Sequence, residues 1–130
     1  MIVLDTHMWI DLVIRDRSSW SVQQQQAVLQ SPVWVICPIS CWELAMLVRR
    51  GRLTLDQSVD SWIERALLNP RFRLDGLTQK IAVAAGNFPS TQIHGDPADR
   101  LIVATAKVLN CPLVTRDQKI INAQLVPTIA

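Results

Sequence analysis

Met1-Ile2-Val3-Leu4-Asp5-Thr6-His7 opens the chain, and the abrupt change of character at Asp5 decides how the rest is read. An apolar run containing Ile2 and Val3 reads as a short strand buried on both faces, and an acid stands where it ends. Val33-Trp34-Val35-Ile36-Cys37, separated by Pro32 from the segment before it, has the β-branched and aromatic content of a second buried strand. Phe72-Arg73-Leu74 is a third, weaker strand, Leu113-Val114-Thr115 a fourth, and Leu125-Val126 a candidate fifth at the edge.

Helical segments separate these strands. Residues 7–14 form a first short helix, and residues 21–30 a second, in which Gln23–Gln26 read as a solvated face. A third runs from Ser40 to about Arg50 and stops at Gly51, the usual residue beyond a helix end. Residues 55–68 place Val59, Ile63 and Leu67 on one face of a fourth helix. Thr78–Gly86 is small and Ala-rich, residues 87–95 form a loop, and Asp96-Pro97 begins a helix lasting to about Leu109. Strands alternating with helices predict an α/β protein: a three-layer α/β/α sandwich around a central, mainly parallel sheet of four to five strands. No linker or repeat interrupts residues 1–130, which read as a single domain.

The bulk numbers narrow the class. With 49% apolar and 18% charged residues, the chain is globular rather than disordered. Charged or amide side chains break every apolar run before it reaches the ~20 residues of a membrane span. No basic leader or cleavage site is visible, so secretion is not expected. Cys37, Cys41 and Cys111 are an odd number without a disulfide framework, which favours a reducing cytoplasm. A net charge of +2 says little by itself. The basic cluster Arg49, Arg50 and Arg52 suits a helix C-terminus, and the same residues could also grip a phosphate backbone.

The acids carry the chemistry. Asp5 ends the first strand, Glu43 follows the second, Asp99 sits in Asp96-Pro97-Ala98-Asp99-Arg100, and Asp117 follows Leu113-Val114-Thr115. Each has a purely local explanation. Asp5, Asp96 and Asp117 can cap helices, Ser40-Cys41-Trp42-Glu43 fits a capping box, and Asp99 suits a first helical turn. Serine or threonine would cap almost as well, however, and the carboxyl ends of parallel strands open onto one crevice. Carboxylates converging there need a counter-charge, which a hard divalent cation supplies. Such a site points to metal-dependent chemistry on phosphodiesters.

Other chemistries fit less well. Cys37 and Cys41 straddle Pro38 with no second pair for zinc. An aspartyl-phosphate phosphatase would want an acid two residues after Asp5, where His7 stands. The four glycines are isolated, so no phosphate-cradling loop exists, and the two histidines suggest no nucleophilic triad.

Four stretches together resemble the PIN-domain family, specifically the VapC-type toxin ribonucleases of type II toxin–antitoxin systems. They are Ile2-Val3-Leu4-Asp5-Thr6-His7, Ser40-Cys41-Trp42-Glu43-Leu44-Ala45 before Gly51-Arg52-Leu53, His94-Gly95-Asp96-Pro97-Ala98-Asp99-Arg100-Leu101-Ile102, and Leu113-Val114-Thr115-Arg116-Asp117. The resemblance covers essentially the whole chain, in order. It implies that Asp5, Glu43, Asp99 and Asp117 form the acidic, Mg²⁺- or Mn²⁺-binding catalytic set. Thr6 would contribute a contact beside Asp5, Thr115 an orienting hydroxyl near Asp117, and Asp96 a supporting or capping role. His7 and His94 are expected at the surface or in hydrogen bonds. Many relatives carry a lysine four residues after the motif glutamate, where this chain has Leu47.

The resemblance further implies an endoribonuclease acting on structured RNA of the tRNA or rRNA class. It also implies a homodimer and a VapB-like antitoxin lying across an apolar groove. Arg100 and Arg116 could steady the scissile phosphate or pair with neighbouring acids. Of the five tryptophans, Trp34 and Trp42 are expected in the core, and Trp9 and Trp62 along a partner groove. The competing readings are a PIN-like RNA- or protein-binding module that does no chemistry, and a small phosphotransfer or nucleotide-binding protein.

Overall fold

A computed structural model describes residues 1–130. Its strands are β1 (Ile2–Leu4), β2 (Trp34–Ile36), β3 (Phe72–Leu74), β4 (Leu113–Val114) and β5 (Thr128–Ile129). Its helices are α1 (Thr6–Ile14), α2 (Val22–Gln30), α3 (Ile39–Arg49), α4 (Val59–Ala66), α5 (Gln79–Asn87), α6 (Pro97–Leu109) and α7 (Gln118–Ala123). The strands form one all-parallel sheet in the order β3-β2-β1-β4-β5. Leu4, the last residue of β1, is in register with Ile36 of β2 and Val114 of β4. Three strands therefore end level with one another, and Asp5 is the next residue.

Alternation along the strands divides the core. Val3, Val35 and Leu113 face one layer, where they pack with Ile81, Ala85, Ile102, Val103, Ala106 and Ile120 of α5, α6 and α7. Ile2, Leu4, Trp34, Ile36 and Val114 face the other, against Met8, Trp9, Leu12, Val28, Leu44 and Trp62 of α1 to α4. The expected three-layer arrangement is present, and the sheet has five strands.

Three boundaries differ from the sequence expectation. β5 lies at Thr128–Ile129 rather than Leu125-Val126. Val126 is buried in the core and Leu125 packs against it, while Pro127, which has no N–H to donate, offers only its carbonyl to Leu113 N–H at 2.9 Å. The helix expected over residues 55–68 covers only Val59–Ala66, because the Ser58 hydroxyl accepts from Ser61 N–H and starts it there. α3 begins at Ile39 after Pro38, with no side-chain cap. The Ser40–Glu43 capping box expected from the sequence is therefore not made, and both side chains are free for other partners.

Candidate active site

The sheet reverses its winding between β1 and β4: β2 and β3 continue to one side, β4 and β5 to the other. Such a switch point leaves a crevice at the carboxyl ends of the strands. Every acid singled out in the sequence sits on its rim. Asp5 ends β1 and caps α1, Glu43 lies in α3, Asp96 caps α6, Asp99 occupies its first turn, and Asp117 caps α7. The three capping roles are real: Asp5 accepts from Thr6 N–H at 2.8 Å, Asp96 from Ala98 N–H at 3.0 Å and Asp117 from Lys119 N–H at 2.9 Å. Capping does not explain Glu43 or Asp99.

A hydroxyl network joins the strands' ends. The Thr115 hydroxyl donates to Asp5 Oδ2 at 2.7 Å and accepts from Asp117 N–H at 3.0 Å, so one side chain orients two of the acids. The Thr6 hydroxyl donates to Glu43 Oε1 at 2.5 Å. That uses its only proton, so in the 2.8 Å contact between Thr6 Oγ1 and Ser40 Oγ the serine is the donor. Ser40 and Thr115 have no exposed surface, and Asp5 is only 7% exposed.

Two supporting residues escaped the sequence reading. Ser40 was legible only as a cap. Gln24, within the run read as solvated, is 1% exposed. Its carboxamide N–H groups donate to the Thr115 and Ile129 carbonyls at 3.1 and 3.3 Å, and its oxygen accepts from Ser21 N–H. It ties α2 to the strand end that carries Thr115.

The acids disturb one another. Burial pushes the Asp99 carboxyl up to about 7, and the negative charges of Asp96, Asp5, Asp117 and Glu43 add to it. Burial also raises Glu43, against the Thr6 hydrogen bond and His7, with Asp5 and Asp96 pushing the same way as burial. Asp5 is raised by burial too, although hydrogen bonds from Thr115 and Thr6 oppose the rise. Three carboxylates thus hold protons more tightly than free acids do, which marks a site short of positive charge.

The donor set suits a hard cation. It consists of carboxylate oxygens from different elements. No three His, Cys, Asp or Glu side chains stand in a ready-made cage. A cation of the magnesium type does not need one, since it is held by one or two carboxylates and keeps several waters.

The PIN domain family profile matches residues 2–124. The chain is also 36% identical, over 108 residues, to Ribonuclease VapC22 of Mycobacterium tuberculosis (strain ATCC 25618 / H37Rv), covering 78% of this chain and 81% of that protein. This is a PIN-domain protein of the VapC type. Solved structures agree on the fold. VapBC2 from Rickettsia felis, bound to a DNA fragment from its promoter, superposes with a TM-score of 0.69 at 19% identity, over 98% of this chain and 97% of that one. FitAcB from Neisseria gonorrhoeae superposes with a TM-score of 0.65 at 25% identity, over 100% and 97%.

Several residues of this PIN domain do not sit where the sequence suggested. Arg100 turns away from phosphate chemistry: it donates to the carbonyls of Ala85, Gly86, Phe88 and Ile93, at 2.6 to 3.3 Å, and clamps the end of α5 to the loop beyond. Arg116 takes the other course the sequence left open and pairs with an acid, Asp11 at 2.6 Å, while also donating to Ser19 Oγ at 2.7 Å. Trp9 is a core residue rather than a groove-lining one. Trp62, edge to face with it at 5.4 Å, is mostly buried and also lines a surface cavity with Val13, Ile14 and Leu55. Trp34 is buried as expected, but Trp42 is 52% exposed, on the outer face of α3. Leu47 packs partly buried against the core, so no cation stands at that position. No helix is long and apolar enough to cross a membrane.

Proposed function

We propose that this PIN domain is a Mg²⁺- or Mn²⁺-dependent endoribonuclease toxin. It acts in the cytoplasm as a homodimer, cleaves structured RNA of the tRNA or rRNA class and so inhibits translation, and is neutralised by a VapB-like antitoxin. The observation that carries the reading is the convergence of Asp5, Glu43, Asp99 and Asp117 on one sheet edge, with Asp99 raised to about 7 by burial first and by its acidic neighbours in addition. The 36% identity to a protein named as a ribonuclease supports the reaction class, and the likeness to toxin–antitoxin complexes supports the partner.

In this reading Asp5, Asp99 and Asp117, with Glu43, hold the cation. When bound, it activates water and neutralises the charge that builds on the phosphate in the transition state. The chain's own contribution is orientation and exclusion. Each Asp5 oxygen accepts one fixed hydrogen bond, from Thr6 N–H and from the Thr115 hydroxyl, and keeps a lone pair for the crevice. Thr6 fixes Glu43 in the same way, and Ser40 fixes Thr6. Asp99 accepts no hydrogen bond from the chain, so of the four acids it is the one free to exchange a proton for a cation near neutral pH. Structured RNA presents splayed loop nucleotides that can reach a site at an open sheet edge.

The test uses the purified chain without a partner and total RNA, with Mg²⁺, Mn²⁺ or EDTA, beside Asp5→Asn. Cleavage should appear only with metal and fall by at least 100-fold in the variant. Cleavage in EDTA, or an equally active Asp5→Asn protein, would overturn the metal-nuclease mechanism.

A further inference from the structure

Beside the acidic crevice lies a cavity of about 440 Å³ of very different character. The loop before Asp96 contributes Gln92 and His94, and α7, which starts after Asp117, contributes Lys119, Asn122 and Gln124. No carboxylate lines it, although five acids surround the neighbouring crevice. The two sites are joined through the backbone: Asp117 caps α7 by accepting from Lys119 N–H, so the Lys119 side chain springs from the residue that makes that hydrogen bond. The Lys119 ammonium has no salt-bridge partner, whereas Arg100 and Arg116 are both committed elsewhere in the fold. The Gln92 and Gln124 carboxamides and the His94 ring make no hydrogen bond within the chain. Asn122 accepts from Gln118 at 2.8 Å and keeps its own N–H₂ group free.

A phosphodiester chain entering an acidic crevice is repelled, and must be held by cations and hydrogen-bonding groups outside it. Carboxamides suit the edge of a base that carries donor and acceptor side by side, and unstacked RNA exposes such edges. We infer that the cavity between the loop at Gln92–His94 and α7 is a substrate subsite. It takes the single-stranded ribonucleotide adjoining the cleaved bond, with Lys119 on its phosphate and Gln92, Asn122 and Gln124 reading its base. The inference rests on the ribonuclease reading, and its binding arm stands without catalysis.

Two measurements test it. Binding of a fluorescent single-stranded oligoribonucleotide is followed by anisotropy in the Asp99→Asn background, across a salt series in EDTA. Lys119→Gln should raise Kd about 5- to 10-fold and reduce the salt slope by about 0.7, the contribution of one phosphate contact to a single strand. Lys80→Gln, which removes the same charge from the exposed face of α5, should leave both nearly unchanged. Separately, the 5′ ends of cleaved total RNA are sequenced for the otherwise unaltered protein and for Asn122→Ala/Gln124→Ala. The double variant should relax base preference at one position next to the cut.

Equal losses in the two lysine variants would reduce the effect to bulk charge and overturn the subsite. Unaltered Kd together with an unaltered cleavage profile would also overturn it, while leaving the ribonuclease reading intact. A chain that cleaves no RNA in either metal overturns the ribonuclease reading, and the anisotropy series then decides the subsite alone.

Discussion

Asp99→Asn should make the metal-free protein more stable above neutral pH and remove its response to metal. In the folded chain the Asp99 carboxyl titrates at about 7 against an ordinary value of 3.8. The folded state therefore binds this proton more tightly than the unfolded one. Stability contributed by the bound proton is complete below about pH 4 and is lost as pH rises through 7. At about 1.36 kcal/mol per pH unit the displacement corresponds to roughly 4 kcal/mol, and the group's partial exposure to water reduces this to about 2. Asparagine has nearly the same shape and no charge. In EDTA at pH 8 it should raise Tm by roughly 5–10 °C for a chain of this size. At pH 5, where the folded chain keeps this proton but the unfolded chain has largely lost it, the gain should shrink to roughly 2–4 °C. Mg²⁺ at 100 times its Kd should stabilise the unaltered protein by about 2.7 kcal/mol and the variant far less. Melting followed by circular dichroism across pH, with and without metal, reads all of these. A variant no more stable at pH 8 than at pH 5, relative to the unaltered chain, would refute the claim that burial and the neighbouring acids hold the Asp99 carboxyl toward its protonated form.

Two further substitutions separate site from scaffold. Thr115→Val removes the hydroxyl that serves both Asp5 and Asp117, and should cost about 1–3 kcal/mol in denaturant titration. Loss of a bond to the ionised Asp5 raises that carboxyl further, so the acid limb of the cleavage-rate profile should move to higher pH. Arg100→Met strips the donors from four carbonyls, and should lower stability by about 2–4 kcal/mol while folded molecules bind RNA as before. A phosphate-binding arginine would give the opposite pattern, weakened RNA binding with unchanged melting.

Much of this architecture is legible locally. The sharp boundary at Asp5, the Asp96-Pro97 helix start and the alternation of apolar runs with helical segments place the sheet and its acidic rim. Elements determined by distant partners are not. Ser40-Cys41-Trp42-Glu43 satisfies the capping-box pattern, yet α3 starts one residue earlier and Glu43 instead meets Thr6, 37 positions away in sequence. Gln24 stands among similar glutamines, and only the approach of β4 and β5 makes it a buried latch. The tryptophans mislead for a related reason. α1 is enclosed nearly all round, burying Met8, Trp9, Ile10 and Leu12, so periodicity cannot say which face meets a partner. Arg100 follows an acid in sequence, but its neighbours in space are the carbonyls at the end of α5.

The caps and the crevice are one device rather than competing explanations. Asp5, Asp96 and Asp117 each accept backbone N–H groups at a helix start, and those bonds, with the local helix dipoles, offset part of the charge concentrated at the sheet edge. Glu43 gains a hydroxyl from Thr6. Asp99 alone receives no donor, and it carries the largest displacement toward the protonated form. Charge compensation is thus built in for four acids and withheld from the fifth. A carboxylate held this way gives up its proton to a cation over the pH range in which cells work. The affinity of the site for metal should therefore rise with pH through 7, and flatten once Asp99 becomes asparagine.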